Sequence, residues 1–87
     1  MIVRYFGAAR AATGIDEEKL DIRQGTSLND VLVKLVQRHP SVEEGRPSLS
    51  SVIIRSSFLR NEVALKDHTA PLATDDVVDV LPPFAGG

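Results

Sequence analysis

Eighty-seven residues with 43% apolar content suffice for one small domain with its own core but not for a second, and enclosing a small-molecule active site would strain that core, which leans toward a carrier or binding module over a self-contained enzyme. A formal charge of −2, with no Lys/Arg cluster, excludes a nucleic-acid-binding patch, and the lack of any long apolar run or signal-peptide pattern leads us to expect a cytoplasmic chain with no membrane contact. The absence of cysteine excludes a disulfide scaffold, a thiolate nucleophile and a Cys-ligated metal site, so any sulfur chemistry must use a group that no side chain supplies.

Met1 to Phe6 is rich in β-branched and aromatic residues and predicts a first strand. Gly7 to Thr13 contains four alanines, favouring a two-turn helix that Gly14 stops in a left-handed conformation. Asp16 to Arg23 alternates around Leu20 and Ile22, which predicts a second strand with an exposed first half, followed by a turn at Gln24-Gly25-Thr26. Ser27 is placed to cap the main helix, with Asp30 three residues on in the manner of a capping box. Leu28, Val31, Leu32, Leu35 and Val36 form one apolar stripe at helical spacing, and Pro40 ends the helix near His39.

Ser41 to Ser50 is polar and reads as a surface loop with room for one helical turn. Ser51 to Leu59 carries Val52-Ile53-Ile54 and predicts a central strand, apolar on both faces. Asn61-Glu62 marks a tight turn, Val63 and Leu65 a short strand, and Lys66 to Thr69 a polar loop. Pro71-Leu72 leads to a turn over Ala73 to Asp76, and Val77 to Leu81 is the last strand, with Val78 and Val80 on one face. His39 and His68 lack the clustering a metal site needs and are expected on the surface, as are the acidic runs Asp16-Glu17-Glu18 and Asp75-Asp76. The order predicts an α+β grasp architecture, a mixed sheet packed on one main helix.

The sheet domain is expected over 1–81 and a flexible, extended tail over 82–87. Pro82 and Pro83 fix φ and donate no hydrogen bond, so they stop the strand from pairing further. Phe84 is a large apolar side chain with no core of its own and is expected to fill a pocket on another protein, with Ala85 beside it. Gly86 and Gly87 have no Cβ, so the end can be threaded into a narrow slot and bent to meet a reagent. From Leu81 to Gly87 the reach is at most roughly 20–25 Å.

Asp79-Val80-Leu81-Pro82-Pro83-Phe84-Ala85-Gly86-Gly87, with Val3-Arg4-Tyr5-Phe6-Gly7-Ala8-Ala9-Arg10, the helix after Thr26 and the Pro71-Leu72 lead, resembles the small subunit of molybdopterin synthase. That family consists of ubiquitin-like sulfur carriers with a β-grasp fold. Two turns depart from its pattern: Asn61-Glu62 stands where Asn-Gly is common, and Asp75-Asp76 where Gly-Asp is common. The resemblance implies no permanently bound cofactor and no metal. It implies that a ubiquitin-activator-like enzyme uses ATP to adenylate the Gly87 carboxylate transiently, and that sulfur transfer then gives a thiocarboxylate. Gly87 would be the reacting residue, with Gly86, Ala85, Phe84, Pro83 and Pro82 binding in the partner. The implied partner is the synthase large subunit, in a heterotetramer of two large and two small subunits, where sulfur passes to a cyclic pyranopterin precursor. The other readings are a sulfur carrier for thiamine or cysteine biosynthesis, a protein modifier conjugated to lysines, and a plain interaction domain with an inert tail.

Overall fold

The structure, a computed structural model, describes residues 1–41 and 44–83. The elements are β1 (Ile2–Tyr5), α1 (Gly7–Thr13), β2 (Glu17–Lys19), α2 (Leu28–Arg38), α3 (Leu49–Arg55), β3 (Ser57–Arg60), β4 (Val63–Ala64) and β5 (Val77–Leu81). The five strands form one mixed sheet in the order β2-β1-β5-β3-β4. β1 and β5 run parallel in register Ile2↔Val77 to Tyr5↔Val80, and every other pair is antiparallel. This is the expected α+β grasp arrangement, with the last strand at the centre.

Strand alternation sends Val3, Tyr5, Val78, Val80 and Phe58 to one face, where all are buried. They join Ala9 of α1, Leu28, Val31 and Leu35 of α2, and Leu49 and Val52 of α3 in a single core. Arg4 and Asp79 face the other way. Three helices therefore cover one side of the sheet, and among the described residues no helix lies on the opposite, open side.

The two α-helices foreseen form as read. Gly14 closes α1 at φ 77°, its amide donating to the Arg10 carbonyl. Ser27 Oγ accepts from the Asp30 amide at 3.2 Å and opens α2. The predicted strand over Ser51 to Leu59 is corrected: its first half is the helix α3, and only its end contributes to β3. Ser48 Oγ accepts from the Ser51 amide at 3.3 Å and starts that helix, which buries Leu49 and Val52 between α1 and α2. Ile54 is 84% exposed, which a central strand would not allow. The β-branched residues lose only a few tenths of a kcal/mol each by being helical, less than the burial of Leu49 and Val52 returns. β2 is also shorter than the predicted Asp16 to Arg23, because β1, its only neighbour, pairs from Ile2 to Arg4. Leu20 still turns inward to the core.

Asn61 and Glu62 adopt φ of 48° and 71°, which makes the β3–β4 hairpin loop a two-residue left-handed turn. Glu62 accepts a conformation that costs a residue with a Cβ about 1–2 kcal/mol, and Asn61 secures it. The Asn61 amide donates to the Val77 carbonyl at 2.8 Å, while its side chain accepts from the Val77 amide and donates to Asp76, each at 2.9 Å.

Two acidic residues expected in solvent are instead enclosed. Asp76 is only 5% exposed and also accepts from the Ala73 amide and the Arg60 guanidinium, both at 2.8 Å. Burial acts to raise its carboxyl pKa, but the hydrogen bonds from Ala73 and Asn61 and the Arg60 charge outweigh it, so the net shift is downward. Glu18, with a side chain 10% exposed, receives Tyr5 Oη at 2.6 Å, Arg38 Nε at 3.1 Å and His39 Nε2. Burial, then the bond to Glu18, raises the Tyr5 pKa far above the phenolic norm. The histidines are half-buried as well, standing edge-on to aromatic rings: His39 to Tyr5 at 5.9 Å between centroids and His68 to Phe58 at 5.3 Å.

The helical assignment of α3 gives a direct expectation. Leu49→Ala should cost about 2–5 kcal/mol in chemical denaturation, whereas Ile54→Lys should stay within about 0.5 kcal/mol. A large loss at Ile54 would restore the strand.

The depressed pKa of Asp76 fixes a pH dependence. Its contribution is fully present above the unfolded carboxyl value of about 3.9 and is lost as pH falls through the lower folded value. Thermal melts should therefore drop below about pH 4. Asp76→Asn should lose roughly 1–3 kcal/mol at neutral pH and show a shallower acid slope than the native chain.

Candidate functional site

The candidate site is the exit of the C-terminal segment from the sheet. β5 is held on both sides along its length, by β1 through Val80 and by β3 through Leu81, whose register partner is Ser57. Val78 and Val80 anchor it in the core at zero exposure. Pro82 follows at once, half-buried, and Pro83 is exposed. Neither has an amide hydrogen, so the ladder ends where the sequence reading placed its end. Because β1 is parallel to β5, it finishes at the same edge, and Phe6, 41% exposed, emerges there too. Phe84, Ala85, Gly86 and Gly87, the other residues assigned to the site from sequence, lie outside the described residues.

Beside the exit is a groove of about 530 Å³, lined by Ala8 of α1, Pro47, Ser51, Val52 and Arg55 on or near α3, and Pro82 and Pro83. It is an apolar trough with one cation on its wall. Sequence reasoning missed it because the helix that forms its wall was read as a strand. The signal for that helix was Ser48, positioned to cap a turn in which Leu49, Val52 and Ile53 share a face.

On the open side of the sheet, Arg4 lies across Asp79. Nε meets Oδ1 at 2.5 Å and Nη2 meets Oδ2 at 2.8 Å, a two-bond fork. Asp79 is 4% exposed although among the described residues no helix covers this face. The hydrogen bond and charge of Asp79 raise the Arg4 pKa, with smaller contributions from Glu62 and Glu17, so the guanidinium is a permanent cation. This pair was also missed: its members are 75 positions apart, joined only by the β1–β5 register.

β5 is paired through Leu81, and Pro82 brings no amide hydrogen to continue the ladder. Among the described residues, no helix is long and apolar enough to cross a membrane.

Comparison with known proteins gives a consistent picture. The sequence pattern of the ThiS family matches residues 3–87. The molybdopterin synthase sulfur carrier subunit of Chlamydomonas reinhardtii is 27% identical over 86 residues, covering 98% of this chain and 95% of that protein. Among solved structures, SAMP1 from Haloferax volcanii superposes with a TM-score of 0.76 at 21% identity, covering 99% of this chain and 97% of the other. A Pyrococcus furiosus protein provisionally described as molybdopterin converting factor subunit 1 gives 0.72 at 26% identity, with 95% of each chain covered. The complex of subunits 1 and 2 of the molybdopterin-converting factor from Helicobacter pylori gives 0.63 at 21% identity, covering 99% and 96%. These superpositions agree with the β-grasp topology read from the strand order.

Proposed function

The chain belongs to the ThiS family of ubiquitin-like sulfur carriers, and on that premise we propose that it carries sulfur for molybdopterin synthesis. The observation that carries the reading is the exit itself: a strand fixed at the centre of the sheet that runs directly into Pro82-Pro83-Phe84-Ala85-Gly86-Gly87. The molybdopterin assignment is supported by the Chlamydomonas reinhardtii relative, which aligns nearly end to end.

In this proposal the Gly87 carboxylate attacks the α-phosphorus of ATP within a ubiquitin-activator-like enzyme. Pyrophosphate leaves and an acyl-adenylate forms. A carboxylate is a poor electrophile, and AMP supplies the leaving group it lacks. Hydrosulfide then adds at the acyl carbon, expels AMP and loses its proton, giving the thiocarboxylate. The tail next enters the large subunit of the synthase, in a heterotetramer of two large and two small subunits, with Phe84 seated in an apolar pocket. The sulfur bonds to a carbon of the cyclic pyranopterin precursor, and water then cleaves the resulting thioester at its acyl carbon, leaving the sulfur on the precursor and regenerating the carboxylate. No cysteine of this chain is needed, and it has none. Family membership supports equally a sulfur carrier of another pathway, such as thiamine or cysteine biosynthesis; what favours molybdopterin is the relative's name and the Pro-Pro-Phe tail.

Incubation with the activating enzyme, ATP and a sulfur donor should replace one terminal oxygen by sulfur, seen by intact mass and a thiocarboxylate-selective probe. A chain lacking Gly86 and Gly87 should stay unmodified. An unchanged mass with a demonstrably active enzyme would remove the carrier reading. A thiocarboxylate that forms but yields no molybdopterin with the large subunit and precursor would move the chain to another sulfur pathway.

Phe84→Ala should weaken binding to the large subunit by about 2 kcal/mol or more, as for a buried aromatic anchor, with little change in the thermal melt of the isolated chain. Unchanged affinity in titration calorimetry, with a lowered melt, would show that the ring belongs to its own domain.

A further inference from the structure

The open face of the sheet carries an arrangement that folding alone does not require. One row runs across it in register: Glu17 on β2, Arg4 on β1, Asp79 on β5 and Leu59 on β3. Half-buried apolar side chains flank the row, with Ile2 and Val77 on one side and Leu81 on the other. An apolar pair at positions 4 and 79 would complete a greasy patch at little or no cost in stability, since a shielded ion pair generally contributes no more than well-packed hydrophobic residues of similar volume. The chain has a fork of two charges there instead.

The fork uses only part of Arg4. Nε and Nη2 are engaged by Asp79, while Nη1 has no hydrogen-bond partner among the described residues. The Arg4 side chain is 37% exposed, so in the free protein water can satisfy that nitrogen. Next to it lies a cleft of about 280 Å³ bounded by Arg4, Asn61, Glu62 and Val77. A protein that receives the tail must come against the end of β5, and Leu81 makes the open face continuous with that exit. Any such protein that covers Arg4 strips the water from Nη1. It must then offer an acceptor or leave a buried donor unsatisfied.

The local charge specifies which acceptor. Arg4 already has Asp79 bonded to it, Glu17 opposite it across β1–β2, and Glu62 on the far wall of the cleft. Three carboxylates act on one guanidinium, and with Lys19, which stands on the same face opposite Ile2 beyond Glu17, the local balance is still negative. A fourth from the partner would meet net repulsion, whereas a neutral carbonyl oxygen would not. Resting on the carrier reading above, we propose that Arg4, held by Asp79, is the partner-selecting residue of this chain: it admits a large subunit that brings a neutral carbonyl oxygen to Nη1 and rejects surfaces that are wholly apolar or acidic at that point. Selection of this kind works by penalising wrong partners as much as by rewarding the right one.

The test replaces both charges together, so that neither is orphaned. In the full chain, Arg4→Val with Asp79→Val removes the donor while suiting a strand, and Arg4→Thr with Asp79→Thr does so without making the face more apolar. Circular dichroism and sedimentation identify the folded, monomeric variant, and titration calorimetry with the synthase large subunit reads the affinity. The expected result is a dissociation constant raised at least about tenfold with the melt preserved. A folded, monomeric variant that binds as tightly as the native chain, or more tightly, would overturn the selector. If the native chain itself does not bind the large subunit, the molybdopterin reading falls, and the selector falls with it.

Discussion

The parallel ladder between β1 and β5 is the constraint on which the remaining structure depends. Two strands that start the same way in space cannot be joined by a short hairpin. Everything from Gly7 to Asp76 is in that sense one long crossover, and its helices fall on the face that must be covered. The ladder places the last strand at the centre of the sheet, between β1 and β3. It also brings Arg4 beside Asp79 and ends both strands at the edge where Pro82 begins. Core, charged fork and exit all follow from one register.

How much of this was legible in the chain follows from the range of each signal. Gly14, Ser27 with Asp30, the α2 stripe and the Asn61-Glu62 turn are decided within a few residues, and the structure places them as read. Val52-Ile53-Ile54 misled because β-branching is a weak preference that tertiary burial overrides. Only the capping serine at position 48 held the opposite signal. The enclosed carboxylates were illegible for another reason. Glu18 and Asp76 look like solvated turn residues until Tyr5, Arg38 and His39, or Asn61 and Arg60, are brought to them by the fold. The Pro82-Pro83 stop could be read from two adjacent residues, while the groove beside it is assembled from α1, α3 and the strand's end.

The polar clusters divide the labour of holding the sheet's margins. Glu18 ties the short edge strand β2 to the end of α2, and Asp76 ties the β3–β4 hairpin to the start of β5. Edge strands of three and two residues have few ladder bonds to keep them in place. In both cases a carboxylate with three donors supplies what pairing cannot, and the shortness of both edges, with the charges of β2, also discourages pairing between separate sheets.

The central position of β5 has a mechanical consequence. A protein that draws on the C-terminal segment applies its load along the axis of β5. That load falls in shear on the bonds to β1 and β3 at the same time, instead of opening them one after another from an edge. Bonds loaded together must fail together, so the domain should withstand a pull along β5 better than one in which the terminal strand lay at the margin.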